Sequence, residues 1–102
     1  MTRPGLLTEE QLSEALSRLF DHWGREGEEL TALFSFSSYG AAVSFVTGVA
    51  AIAQELDHHP VMTLTYGTVR VAVTTHDAGG LTSLDVALAE RSSELYASSK
   101  LS

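Results

Sequence analysis

Apolar and polar positions recur with two different periods along this chain, and the switches between them mark its elements. Thr8, with Gln11 three residues on, has the form of a capping box, and Leu12, Leu16 and Leu19 follow at i, i+4 and i+7. That stripe predicts a helix from Thr8 to about Phe20. Residues 22–36 lose the helical period. Gly24 and Gly27 fall in a polar stretch and Leu33, Phe34 and Phe36 close a strand, which predicts a hairpin turning at the glycines. Ser37 or Ser38 then caps a second helix, with Ala42, Phe45, Val46, Val49, Ile52, Ala53 and Leu56 on a broad buried face. Asp57-His58-His59-Pro60 stops it, because the residue before a proline is driven out of helical geometry.

A second hairpin is expected over 61–66 and 68–76 around Gly67. Val69, Val71 and Val73 point to one side of its second strand, and Arg70, Ala72, Thr74 and His76 to the other. Ala78-Gly79-Gly80 forms the exit loop. Thr82 caps a last helix that has Asp85 at its third position and buries Leu84, Leu88 and Leu95. Two hairpins with helices at their junctions imply an α+β fold: one four-stranded antiparallel sheet with three helices on a single face, in the order α-β-β-α-β-β-α. The other face of the sheet is left open, which invites self-association or a ligand.

Composition narrows what such a domain can do. At 102 residues the chain has room for one domain, 1–102, and its 44% hydrophobic and 19% charged content is ordinary for a globular protein. No uninterrupted apolar run reaches the roughly 18 residues of a bilayer span, so a transmembrane helix is not expected. The opening MTRPGLLTEEQ lacks the apolar core of a secretory signal. The absence of cysteine removes disulfides, thiol catalysis and cysteine-held metals, and fits a cytoplasmic location. Thirteen acidic against six basic residues give a net charge of −7, and the basic ones (Arg3, Arg18, Arg25, Arg70, Arg91 and Lys100) are scattered. A phosphate backbone needs clustered basic groups, so direct nucleic-acid binding is not expected, nor is an anionic membrane surface.

Three of the four histidines fall at junctions between elements: His58 and His59 where the second helix gives way to a strand, and His76 at a strand end. Histidine is the side chain suited to moving protons near neutral pH. Each taken alone reads more readily as a solvated or hydrogen-bonded loop residue carrying little packing. For Asp85 that plain reading is stronger still, because an acid three residues after Thr82 is what a helix N-terminus favours. His22 beside Trp23 has no partner in the pattern and reads as structural. A zinc site is disfavoured, because neighbouring His58 and His59 point apart in extended backbone and no helical i, i+4 histidine pair is present. Gly79-Gly80 lacks the spacing of a phosphate loop, and no serine sits in a G-x-S-x-G elbow.

Taken together, Asp57-His58-His59-Pro60, Tyr66, His76 and Asp85 resemble the pterin-4a-carbinolamine dehydratases, also called dimerisation cofactors of a homeodomain transcription factor. The order of helices and hairpins is similar over nearly the whole chain, and Tyr39, Phe45 and Val49-Ala50-Ala51 fall where the family's second helix is expected. The resemblance implies an α+β sandwich that assembles into homodimers or homotetramers through its sheets and one helix. It also implies an enzyme without metal or cofactor. Such enzymes dehydrate the 4a-hydroxy-tetrahydropterin left by aromatic amino-acid hydroxylases, giving the quinonoid dihydropterin. On this resemblance His58 and His76 are the acid–base pair, His59 helps to hold the pterin, and Asp85 orients or charge-stabilises an imidazole, with Asp57 beside them.

Two positions depart from the family pattern. Gln54 stands where an acidic residue is usual, so it can hydrogen-bond but carries no charge. Met62 stands where an aromatic residue is common, and its thioether can still pack on a flat ring. Trp23 lies near the family's N-terminal tryptophan but shifted toward the second strand. A protein of this fold can also serve as a non-catalytic binding or scaffolding partner of another protein, and that is the competing expectation.

Overall fold

The computed structural model describes residues 5–19 and 21–101, with residues 100 and 101 as backbone only. Among them are three α-helices and four strands: α1 (Glu9–Arg18), β1 (Trp23–Glu26), β2 (Glu29–Ser35), α2 (Tyr39–Leu56), β3 (Val61–Thr65), β4 (Thr68–Val73) and α3 (Ser83–Leu101). A single 3-10 turn, His76–Ala78, sits between β4 and α3. The strands form one antiparallel sheet in the order β1-β2-β4-β3, the α+β arrangement expected from the sequence.

α1 begins with a complete capping box: Gln11 N–H donates to Thr8 Oγ1 at 3.1 Å and Thr8 N–H to Gln11 Oε1 at 2.8 Å. Leu12, Ala15 and Leu19 are buried along its inner side while Leu16 is half-buried, and Phe20 lies outside the described residues. The first hairpin turns at Gly27-Glu28 and not at Gly24. Gly24 is a strand residue opposite Thr31, and pairing of Glu26 with Glu29 leaves a two-residue loop. Gly27 takes φ 60°, the positive value that a tight hairpin needs at its first central position and that glycine alone adopts without strain.

The core lies between the sheet and the helices. Leu30, Ala32 and Phe34 of β2 pair with Val73, Val71 and Val69 of β4, so six apolar side chains share the inner face. Phe34 is fully enclosed, with ring centroids of Phe45 at 4.7 Å, Tyr96 at 4.9 Å, His22 at 5.0 Å and Trp23 at 6.0 Å. α3 is pinned to the sheet by Tyr96 Oη–H to Ser35 O at 2.7 Å and Trp23 Nε1–H to Ser93 Oγ at 2.8 Å. Residues of the opposite parity face away. Leu33 and Val61 are 57% and 66% exposed, which leaves an open sheet face.

α2 is both long and apolar. Over its 18 residues the mean hydropathy is 1.2, so by length and composition it can cross a membrane although no uninterrupted apolar run announced it. Its inward side, Ala42, Phe45, Val49, Ile52 and Ala53, is instead buried in the core, and Tyr39 and Val43 are exposed on its outer side.

Candidate active site

The end of α2 places the first histidine. Ser38 Oγ accepts from Ala41 N–H at the helix start, and past the eighteen residues of the helix Asp57 takes the left-handed conformation at φ 51°. Asp is one of the few side chains that tolerates this region, because its short polar group can bond locally. The next N–H, that of His58, reaches back to Ala53 O at 3.0 Å. This six-to-one closure turns the chain sharply. It ends the helix three residues ahead of Pro60, so the left-handed Asp57 is the stop signal and the proline is not.

His58 is buried, 5% exposed, and its Nε2 lies 2.6 Å from Oδ1 of Asp85, which is wholly enclosed. Asp85 Oδ2 accepts from Thr82 N–H and from Thr75 Oγ1–H, both at 2.8 Å. A carboxylate only accepts hydrogen bonds, so the proton between it and His58 belongs to Nε2, and Nδ1 is the nitrogen left for chemistry. The same logic runs one step further. Thr75 spends its hydroxyl proton on Asp85, so at 2.9 Å Thr82 Oγ1 is the donor to Thr75 Oγ1, while Leu84 N–H donates to Thr82 Oγ1 at 3.2 Å. Every oxygen of this buried network has a partner, which fixes the orientation of the imidazole. Asp85 therefore does two things: it closes the N-terminus of α3 and it holds His58.

β4 and its exit loop bring up the rest. The strand ends at Val73, shorter than the sequence pattern implied, and His76 opens the 3-10 turn and does not close the strand. His58, His59, Thr74, Thr75, His76 and Asp77 line one open cleft of about 190 Å³. His59 and His76 are exposed on its wall, and buried His58 stands behind with Asp85 at its back. Asp57, Gln54 and Met62 are not among the residues lining the cleft. Asp57 caps α2, Gln54 is exposed on the last turn of that helix, and Met62 is half-buried against the core. Trp23 is a core residue bonded to Ser93. Among the described residues no group of three or more His, Asp or Glu is arranged to hold a metal ion.

Thr75 and the hydroxyl of Thr82 are participants that the sequence reading passed over. Alternation along β4 places Thr75 on the same side as Val69, Val71 and Val73. A hydroxyl on that apolar face, one residue before His76, was the available signal.

With three histidines of the right spacing on one cleft, comparison with known proteins is decisive. The family model described as pterin 4 alpha carbinolamine dehydratase matches residues 5–95. The chain belongs to the pterin-4a-carbinolamine dehydratase family. Among curated relatives, a "putative pterin-4-alpha-carbinolamine dehydratase" of Haloarcula marismortui is 43% identical over 86 residues, 84% of this chain and 90% of that one. A protein of the same name from Chloroflexus aurantiacus is 43% identical over 89 residues, 87% of this chain and 95% of its own. A transcriptional coactivator/pterin dehydratase from Brucella melitensis superposes with a TM-score of 0.83 at 35% identity, covering 88% and 97% of the two chains. A pterin dehydratase-like RuBisCO assembly factor of the alpha-carboxysome shares the fold, with a TM-score of 0.64 at 23% identity over 76% of this chain and 93% of that one.

Proposed function

We propose that this pterin dehydratase family member is a working hydro-lyase that converts a 4a-hydroxy-tetrahydropterin to the quinonoid dihydropterin and water. The observation that carries the reading is the convergence of His58, His59 and His76 on one cleft, with His58 held from behind by buried Asp85. In the elimination, the C4a–O bond breaks, hydroxide leaves with a proton supplied by an acid, and a base takes the N5 proton as the C4a=N5 bond forms. His58 suits the base: its Nε2–H is committed to Asp85, its Nδ1 can accept, and the carboxylate stabilises the imidazolium that results. His76 then supplies the proton to the departing hydroxyl, and His59 orients the ring. Asp57, Gln54 and Met62 act from beyond the cleft wall.

The dehydration of freshly generated 4a-hydroxy-tetrahydropterin, followed optically, tests this. Wild-type protein accelerates it, and His76→Ala, at an exposed position, loses most of that acceleration, keeping a small measurable rate, without losing melting temperature. A folded wild type that gives no acceleration overturns the reading. A second reading, a binding protein for another protein chain, is favoured by Leu33 and Val61 exposed on the open sheet face. It predicts no saturable binding of a dihydropterin analogue at the histidines. On the first reading the protein works in the cytoplasm as a homodimer or homotetramer.

A further inference from the structure

The two ends of the acid–base pair are held differently. His58 is fixed by its own ring. The His76 ring has no hydrogen-bond partner among the described residues, so the backbone of its loop decides where it sits. That loop is small and closed. Thr75 N–H donates to Gly80 O at 3.1 Å, the N–H groups of Ala78 and Gly79 return to Thr75 O, each at 3.1 Å, and Gly79 turns the chain at φ 80°. Its inner side is anchored by the Thr75 hydroxyl on Asp85.

Its outer side is held by the β1–β2 turn, which lines no part of the cleft. Thr74 Oγ1–H donates to Glu28 O at 2.6 Å. Gly80 packs beneath the Glu28 carboxylate: a Cβ there would stand 2.6 Å from Glu28 Oε2 and 3.0 Å from Leu6 Cδ2. The other carboxylate oxygen of Glu28 accepts from Arg25 Nη2 at 2.9 Å. Arg25 Nε donates to Gly27 O at 2.8 Å and Nη1 to Glu9 Oε1 at 2.7 Å, which ties the turn to the start of α1. Hydrogen bonds to Glu9 and Glu28 hold the Arg25 guanidinium above its ordinary pKa, so this latch keeps its charge throughout the neutral range.

We infer that the β1–β2 turn is a clamp on the loop carrying His76, with Thr74 and Glu28 as positioning residues that set where that imidazole stands relative to His58. The inference rests on the proposed dehydration for its kinetic readout only. General acid catalysis depends on the donor reaching the leaving group, and a displacement of about 1 Å is enough to cost much of its effect.

The test combines histidine-ring 1H–15N NMR with dehydration kinetics on Thr74→Val, Thr74→Ser and Glu28→Ala, each made also in the His76→Ala protein. Thr74→Val and Glu28→Ala are expected to move the His76 ring signals, leave those of His58 in place, and lower kcat about tenfold. Thr74→Ser restores both readouts. In the His76→Ala protein the same changes alter kcat by less than about twofold, because the residue they act through is gone. Equal losses in both backgrounds, or His76 signals that do not move, overturn the clamp. If wild type does not accelerate dehydration, the proposed function falls and the ring signals alone decide: moved signals uphold the clamp and unmoved ones overturn it.

Discussion

His58 Nε2 and Asp85 Oδ1 stand 2.6 Å apart, with the carboxylate wholly enclosed and the imidazole nearly so. Read from sequence, a junction histidine carries little packing, and the structure reverses that for His58. Its removal leaves a buried carboxylate short of a donor. His58→Ala is expected to cost about 3 kcal/mol of stability, a fall in melting temperature on the order of 15 °C, together with its activity. His76→Ala costs activity alone. Thermal denaturation of the two variants side by side checks the contrast, and equal melting temperatures would refute it.

How far the sequence foretold this is clearest at individual residues. The Thr8–Gln11 capping box, the valine alternation of β4 and the Asp57-to-Asp85 spacings are legible in the sequence, and they point to the element order and the histidines. Gly24 and Gly27 are equivalent as letters. Only the cross-strand register, Glu26 to Glu29, decides which one turns the chain. The Thr74–Glu28 contact is out of reach because it joins residues far apart in the chain, and no local pattern encodes such a meeting, whereas the Thr75 hydroxyl is marked by its place on the apolar face of β4.

Asp85→Asn separates shape from charge. Asn keeps the volume but offers an amide where an acceptor is needed, so the Nε2–H tautomer of His58 loses its partner. Activity is expected to fall at least about a hundredfold, and stability by about 1–3 kcal/mol. Kinetics with melting curves checks this, and an unchanged rate would remove Asp85 from the mechanism.

Thr75→Val is nearly isosteric and deletes one hydroxyl from the network. Asp85 and Thr82 each lose a partner. The expected loss is about 1–2 kcal/mol, seen as a lower denaturation midpoint with an unchanged denaturant slope. Thr75→Ser keeps most of the stability.

Trp23→Phe removes the bond to Ser93 but touches nothing in the cleft. Stability is expected to drop about 1 kcal/mol while the dehydration rate holds. Because Trp23 is the one tryptophan of the chain and is buried, its fluorescence shifts to longer wavelength as the wild type unfolds. A rate lost in Trp23→Phe at unchanged stability would give this residue a role at the site.

The Arg25 latch has a defined pH behaviour. Its pKa is raised on folding by hydrogen bonds to Glu9 and Glu28, so its contribution is fully present below the unfolded value and disappears only as pH rises through the higher folded one. Both lie far above neutrality. The difference in melting temperature between wild type and Arg25→Gln is therefore expected to stay constant from about pH 6 to 9. Melting curves across that range check it, and a difference that closes on approaching pH 9 would contradict the assignment.

The seam between the two hairpins is the long-range step of the fold. Each hairpin is local, but Leu30 meets Val73 and Ser35 meets Thr68 only across the whole of α2 and β3. Closing so long a loop costs chain entropy before any contact returns it, which makes that step slow. The Thr74–Glu28 contact lies just past the Leu30–Val73 end of the seam, so the outer hold on the His76 loop forms in the event that zips it. On the proposed function, recovery of activity during refolding is expected to run no faster than the docking of one hairpin on the other.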